Sequence, residues 1–247
     1  LKEQEEEQVV PVKKQVQTPL YAQNTLYQQN QLMSILKPNK LISLGYNCYF
    51  KLYLNTIKIN QETHLFDYIG TSMWTILEIL FNNINFLDKK DFELLTIENQ
   101  ITPSNSKYYI RFRHDLNCKL SNFKKMKTKY LRRHTRFINM LNSSDPIIFF
   151  RIQESMSTRV ILPQHKDFYE KNELEYINQF ISKVNLIHKT TFKLIYFSYT
   201  HNTSIVNNQL LILHTDKEID NCWQESPLHI NNIMFRNYGL IKQFVKL

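Results

Sequence analysis

At 247 residues, with 43% hydrophobic and 13% aromatic content, the chain can bury one core and carry a tail, which excludes a disordered polymer or a disulfide-stapled miniprotein. Lys and Arg outnumber Asp and Glu by 31 to 22, a formal net charge of +9 that keeps anionic partners in view. Cys48, Cys118 and Cys222 are scattered and show no CxxC spacing, which argues against a zinc site and for a reducing compartment such as the cytoplasm.

Residues 1–39 read as a polar tail or linker: an acidic cluster at Glu3, Glu5, Glu6 and Glu7, then Gln-rich sequence, with Pro38 and Asn39 as punctuation. The first ten residues do not read as a signal peptide, and Leu1 in place of Met points to a fragment or a processed product. Residues 40–247 read as one domain. Leu41–Leu44 is a short buried strand ending at Gly45, and a helix follows from about Cys48 to Ile57. Phe66, Asp67 and Tyr68 lie in a turn or short strand closed by Gly70. Thr71 or Ser72 caps a helix through Phe81. Tyr108–Arg113 alternates as a strand, and Ser121 caps a long helix to about Asn142. Ile147–Ile152 suits a central strand buried on both faces. A helix over 171–188 and strands at Phe192–Phe197 and Leu210–Leu213 complete the series. No apolar run reaches the roughly 18–20 residues of a membrane helix.

Strands alternating with helices predict a three-layer α/β domain, a mostly parallel sheet flanked by helices on both faces. Ligands in such folds sit beyond the carboxyl ends of the strands, which places Gly45–Cys48, Arg151 and Ser198–Tyr199 on one rim. Glycine, at three in 247 residues, is near 1% against an average of about 7%, so each survivor marks a backbone position worth testing for positive φ.

Leu44-Gly45-Tyr46-Asn47-Cys48 sets a cysteine after a strand and a glycine turn, at the start of a helix. A helix N-terminus favours a thiolate and supplies N–H groups for an oxyanion. Cys48 is therefore either a nucleophile or a small buried hydrophobe. Among eight histidines, His114 is the best partner: it shares a strand face with Ile110 and Phe112, as a general base or as a satisfied structural residue. Asp115 points to the opposite face. Asp67, flanked by aromatics, is the better candidate to orient an imidazole. His134 falls on an apolar helix stripe. No HExxH motif, Walker loop or dinucleotide fingerprint is present, so no metal or cofactor is expected.

Residues 107–136 hold eleven Lys or Arg against one acid, Asp115. Lys124, Lys125, Lys127, Lys129, Arg132, Arg133 and Arg136 lie on their helix. They form either a solvated face or a surface for a polyanion, nucleic acid or anionic glycan.

These motifs in this order resemble the family described as "putative papain-like cysteine peptidases", of bacteria and large DNA viruses. The matching residues are Ser43–Cys48, Phe66-Asp67-Tyr68, His114-Asp115, Tyr130 with Arg132-Arg133 and Arg136-Phe137, Ile147–Arg151, Phe192–Phe197 and Trp223. The resemblance covers about residues 40–225 and implies Cys48 as nucleophile with His114 and Asp67 in support. Gly45, Asn47, Asp115, Arg151 and Trp223 fall around the expected site. Family members often have Phe-Asp-Trp where this chain has Phe66-Asp67-Tyr68. A papain fold is α+β, and that is the alternative to the three-layer reading. The resulting expectation is a cysteine-dependent hydrolase acting on a protein or other acyl substrate. The alternatives are a catalytically silent binding or structural domain with a basic surface, associated with a virion, nucleic acid or glycan, and a carbohydrate-related enzyme that uses Arg151 at the sheet rim; the compartment implied is cytoplasmic or virion-associated.

Overall fold

The computed structural model describes residues 20–46, 48–59, 62–97, 100–112, 115, 120–154, 172–188, 191–215 and 226–247. In chain order the elements are α1 (Leu20–Leu36), β1 (Lys40–Ser43), α2 (Tyr49–Thr56), α3 (Met73–Phe81), β2 (Phe92–Ile97), β3 (Gln100–Asn105), β4 (Ile110–Arg111), α4 (Phe123–Leu141), β5 (Ile147–Ile152), α5 (Glu173–Ile187), β6 (Phe192–Ser198), β7 (Ser204–Ile205), β8 (Leu210–His214), α6 (Ser226–Arg236) and α7 (Tyr238–Lys246).

The main sheet runs β1-β5-β6-β8-β7, parallel throughout except for the edge strand β7. Every residue of β5 is buried, Arg151 included, and the apolar and aromatic run Ile147–Phe150 suits a strand covered on both sides. Ile147 and Phe149 point into the core under α3, α4 and α5; Ile148, Phe150 and Ile152 point into the core under α1, α2, α6 and α7. Two cores on opposite faces of one mostly parallel sheet make the three-layer α/β architecture, not the papain-like α+β alternative. On the first face Phe149 meets Phe180 and Phe192 edge-on at 5.3 and 5.7 Å. On the second, Phe150 stacks on Phe50 of α2 at 3.8 Å. Each such ring contributes roughly 1.5–3 kcal/mol by burial, and the Phe50–Phe150 stack seats α2 on the sheet. No helix among the described residues is long and apolar enough to cross a membrane.

Several expectations change. Of the stretch read as tail or linker, residues 20–36 form α1, and Leu32 and Leu36, one helical turn apart, are buried in the second core. The strand expected over Tyr108–Arg113 is only Ile110–Arg111. Asn105 Oδ1 accepts the Tyr108 N–H at 3.0 Å, holding a turn in which Tyr109 has φ +57°. The hairpin of β2 and β3 that precedes it was not anticipated. The long helix begins at Phe123 with Asn122, not Ser121, as N-cap. Ser72 does cap α3, accepting the Thr75 N–H at 3.1 Å.

Candidate active site at the end of the first strand

Leu44 still donates its N–H to Phe150 O at 2.8 Å, so the chain leaves the sheet at Gly45. Gly45 has φ +70° and Tyr46 φ 69°, both left-handed. A Cβ at Gly45 would stand 2.7 Å from Thr71 Cγ2, so space as well as backbone angle demands glycine there. For Tyr46 the same conformation costs about 1–2 kcal/mol, which burial of its ring offsets. The double left-handed turn delivers the chain to Cys48, the N-cap of α2 with φ −83° and ψ −1°. Cys48 is half-buried and packs against the second core. The first-turn N–H groups of α2 and its dipole favour an anionic group at this point.

Arg151, expected to face a substrate from the rim, is fully buried instead. Its Nη1 donates to Leu44 O at 2.7 Å and to Thr71 O at 2.9 Å, on the two segments that bracket Gly45. Its Nε donates to Glu173 Oε1 at 2.7 Å, and Nη2 lies 2.5 Å from the same oxygen. Glu173 Oε2 accepts from Tyr196 Oη at 3.1 Å and from the Glu154 N–H at 3.0 Å. With its guanidinium committed to protein acceptors, Arg151 braces the turn before Cys48 and is not available to a sugar. Burial, and then the charge of Glu173, hold the Tyr196 phenol far above its ordinary pKa, so it stays a neutral donor.

Asp67 is buried and accepts the His64 N–H at 2.8 Å, with Lys51 Nζ at 3.6 Å. Burial pushes its carboxyl up to about 6. Lys51, the His64 and Ser43 N–H groups and Arg133 pull the other way without prevailing. Lys51 is itself buried, on α2 one turn beyond Cys48, and also donates to Glu62 O at 3.4 Å. Asp67 thus ties the 62–68 segment to the helix that carries the cysteine. His64 is buried as well. Burial first, then the charges of Lys51, Arg136 and Lys40, push its imidazole down to about 4, so it is neutral near pH 7.

Asp115 is turned toward α4, where its carboxylate accepts from Tyr130 Oη at 2.8 Å and pairs with Lys129. Arg133 lies over the rings of Tyr130 and Tyr68, at 5.1 and 5.6 Å, and Arg136 donates to Thr63 O at 2.8 Å. The expected basic surface is therefore divided. Lys124, Lys125 and Arg132 are exposed, Lys127 is half-buried, and Lys129, Arg133 and Arg136 are engaged in packing α4 against its neighbours. His114, Asn47 and Trp223 lie outside the described residues. Among the described residues no group of three His, Cys, Asp or Glu side chains is arranged to hold a metal ion.

Lys51, His64 and Glu173 are the partners that sequence reasoning missed. Lys51 left one trace, a single cation inside the run Tyr49-Phe50-Lys51-Leu52-Tyr53-Leu54, which an all-buried helix face must pair. Glu173 carries no sequence mark beyond that of an acid in the first turn of α5.

Comparison with curated proteins and with solved structures gave no match. The sequence model of one family matches residues 39–198, from just before β1 to the last residue of β6, and that span includes Cys48, Asp67, His114, Asp115 and Arg151. With more than half of its length matched, the chain belongs to the family described as "putative papain-like cysteine peptidase".

Proposed function

We propose that the chain is a cysteine-dependent hydrolase of acyl bonds, peptide or isopeptide bonds first among them, with Cys48 as its nucleophile. The observation that carries this reading is the delivery of Cys48 to the N-terminus of α2 by two successive left-handed residues. Strain of that kind persists where surrounding structure over-determines it, and it clusters at functional sites. Family membership supports the same reading.

In this mechanism the Cys48 thiolate attacks the acyl carbon, and the N–H groups of the first turn of α2 hold the oxyanion. His114 takes the thiol proton and returns it to the leaving group. It then activates the water that cleaves the thioester. Two neighbours of His114 in sequence are anchored: the Phe112 N–H bonds Pro103 O and the Asp115 N–H bonds Phe112 O, each at 2.9 Å. Asp67, with its carboxylate engaged by Lys51 and by the His64 N–H, acts in support by holding its segment against α2.

The test is alkylation by iodoacetamide at neutral pH, read by peptide mass spectrometry, followed by turnover of a peptide and ester panel. Cys48 should label at least about ten times faster than Cys118 and Cys222, and Cys48→Ser should abolish turnover. Equal, slow labelling of all three cysteines would sink the proposal. It would favour the second reading, a silent domain that takes an anionic partner, which the exposed Lys124, Lys125 and Arg132 on α4 support.

A further inference from the structure

A concavity lies at the amino end of β1, opposite the end that leads to Cys48. Asn39 Nδ2 closes α1 by donating to Ile35 O at 3.1 Å, and the Lys40 N–H bonds Pro146 O at 2.8 Å. The turn therefore sets Lys37 and Lys40 beside the approach to β5. Arg136 reaches across from α4 and pins the 62–64 segment through Thr63 O. The result is a cleft of about 720 Å³ whose lining includes Lys37, Lys40, Glu62, His64, Arg136 and Asp145. That volume suits a small organic ligand.

Charge is layered across the cleft. The carboxylates stand at the mouth, with the Glu62 side chain 72% exposed and Asp145 56%. Arg136, at 28%, lies deeper, and His64 is 5% exposed with a buried Nδ1 that has no hydrogen-bond partner. Arg136 Nη1 donates to Thr63 O, and its Nε stands 3.8 Å from Glu62 Oε2, an exposed and therefore weak pair that a bound anion can replace. Lys37 and Lys40 stand at the mouth with the acids, Lys40 at 52% exposure and 3.9 Å from Asp145 Oδ2, while Arg136 and His64 line the deeper part.

We propose that this cleft binds a small organic phosphomonoester, its phosphoryl group seated between Arg136 and His64 within reach of Lys40. A phosphoryl group presents several acceptor oxygens and close to two negative charges, which matches converging cations better than a single carboxylate does. The lowered pKa of His64, caused after burial by Lys51, Arg136 and Lys40, reports the positive field that an anion would meet there. The site is separate from Cys48 and does not depend on the hydrolase reading.

The experiment follows the His64 ring signal by NMR in the full chain, at matched ionic strength in sodium chloride. Inorganic phosphate and glucose 6-phosphate are titrated separately. The charged groups around this ring are Lys40 and Asp145 at the sheet edge, Arg136 on α4, Lys51 on α2, and Glu62 and Asp67 on its own segment. A bound dianion favours the imidazolium, so saturation should raise the pKa of His64. The ester should bind more tightly than inorganic phosphate, because its body fills the rest of the cleft. Lys40→Ala, at a half-exposed side chain, should weaken binding about tenfold, the effect of one charge-assisted bond. No saturable shift with either probe overturns the proposal, as does an unchanged affinity in Lys40→Ala. Inorganic phosphate binding as tightly as the ester overturns the organic ligand. Iodoacetamide labelling of Cys48 in the same samples reports the first reading independently.

Discussion

Two buried ion pairs, Arg151–Glu173 and Lys51–Asp67, stand on either side of the turn that carries Cys48, and they are built differently. Glu173 receives a guanidinium, a phenol and a backbone N–H, and Arg151 adds two carbonyl partners. In the other pair Lys51 Nζ is 3.6 Å from Asp67, and burial outweighs that attraction enough to raise the carboxyl to about 6. A planar fork can satisfy several acceptors at once, whereas an ammonium on a flexible stem meets them singly. The first pair fixes geometry; the second is poised to change its protonation.

Removing one member of the rigid pair should have the largest effect. Arg151→Met strands Glu173 in the core and releases Leu44 O and Thr71 O, so urea unfolding should show a loss of about 3–5 kcal/mol. A loss under 1 kcal/mol would show that the two pairs are equivalent after all.

Proton linkage gives the next largest signal and addresses the softer pair. The pKa of Asp67 is raised by folding, so its contribution is fully present below its unfolded value of 3.8 and is lost as pH rises through about 6. The pKa of His64 is lowered, so its contribution is present above 6.5 and is lost as pH falls through about 4. Between pH 4 and 6 the two slopes oppose each other, each worth up to about 3 kcal/mol. His64→Gln should therefore leave stability falling as pH rises across this window, and Asp67→Asn should leave it rising. Chemical denaturation at pH 4, 5 and 6 reads both slopes; parallel profiles in the two variants would contradict the assignment.

Gly45 lies between the pairs and should give the smallest of the three effects. Gly45→Val should cost about 2–3 kcal/mol, combining a left-handed β-branched residue with the clash at Thr71, and Gly45→Ala less. Thermal melts of the two variants rank them. An equal cost for both would mean that the clash alone, not the backbone angle, excludes a side chain.

How legible each part was in the sequence follows the same division. β5 announced itself because a strand covered on both faces needs no alternation, and Ile147–Ile152 has none. Rarity of glycine was a partial guide: of the three that remain, Gly45 has positive φ, while Gly70 and Gly239 do not. The direction of Arg151 was not legible: alternation names a face, but not whether a side chain at a strand end turns outward or back onto Leu44 O. α1 was hidden by polar composition: among its described side chains only Leu32 and Leu36 are buried, and their spacing docks the helix. The β2–β3 hairpin left no such mark, and Pro103 within β3 is a residue that strands usually avoid, although its carbonyl accepts the Phe112 N–H.

The bond from Arg151 to Leu44 O spans 107 positions of sequence. Among the described residues β1 pairs in the sheet with β5 alone, and Arg151 meets its carboxylate partner only when Glu173 follows. During synthesis the segment bearing Cys48 therefore emerges well before anything can hold its turn in place. Ribosomal chain growth at roughly 5–20 residues per second turns that separation into a delay of several seconds. The thiol is made first and set in position later, so a nascent chain carries the residue without its brace until Glu173 has been added.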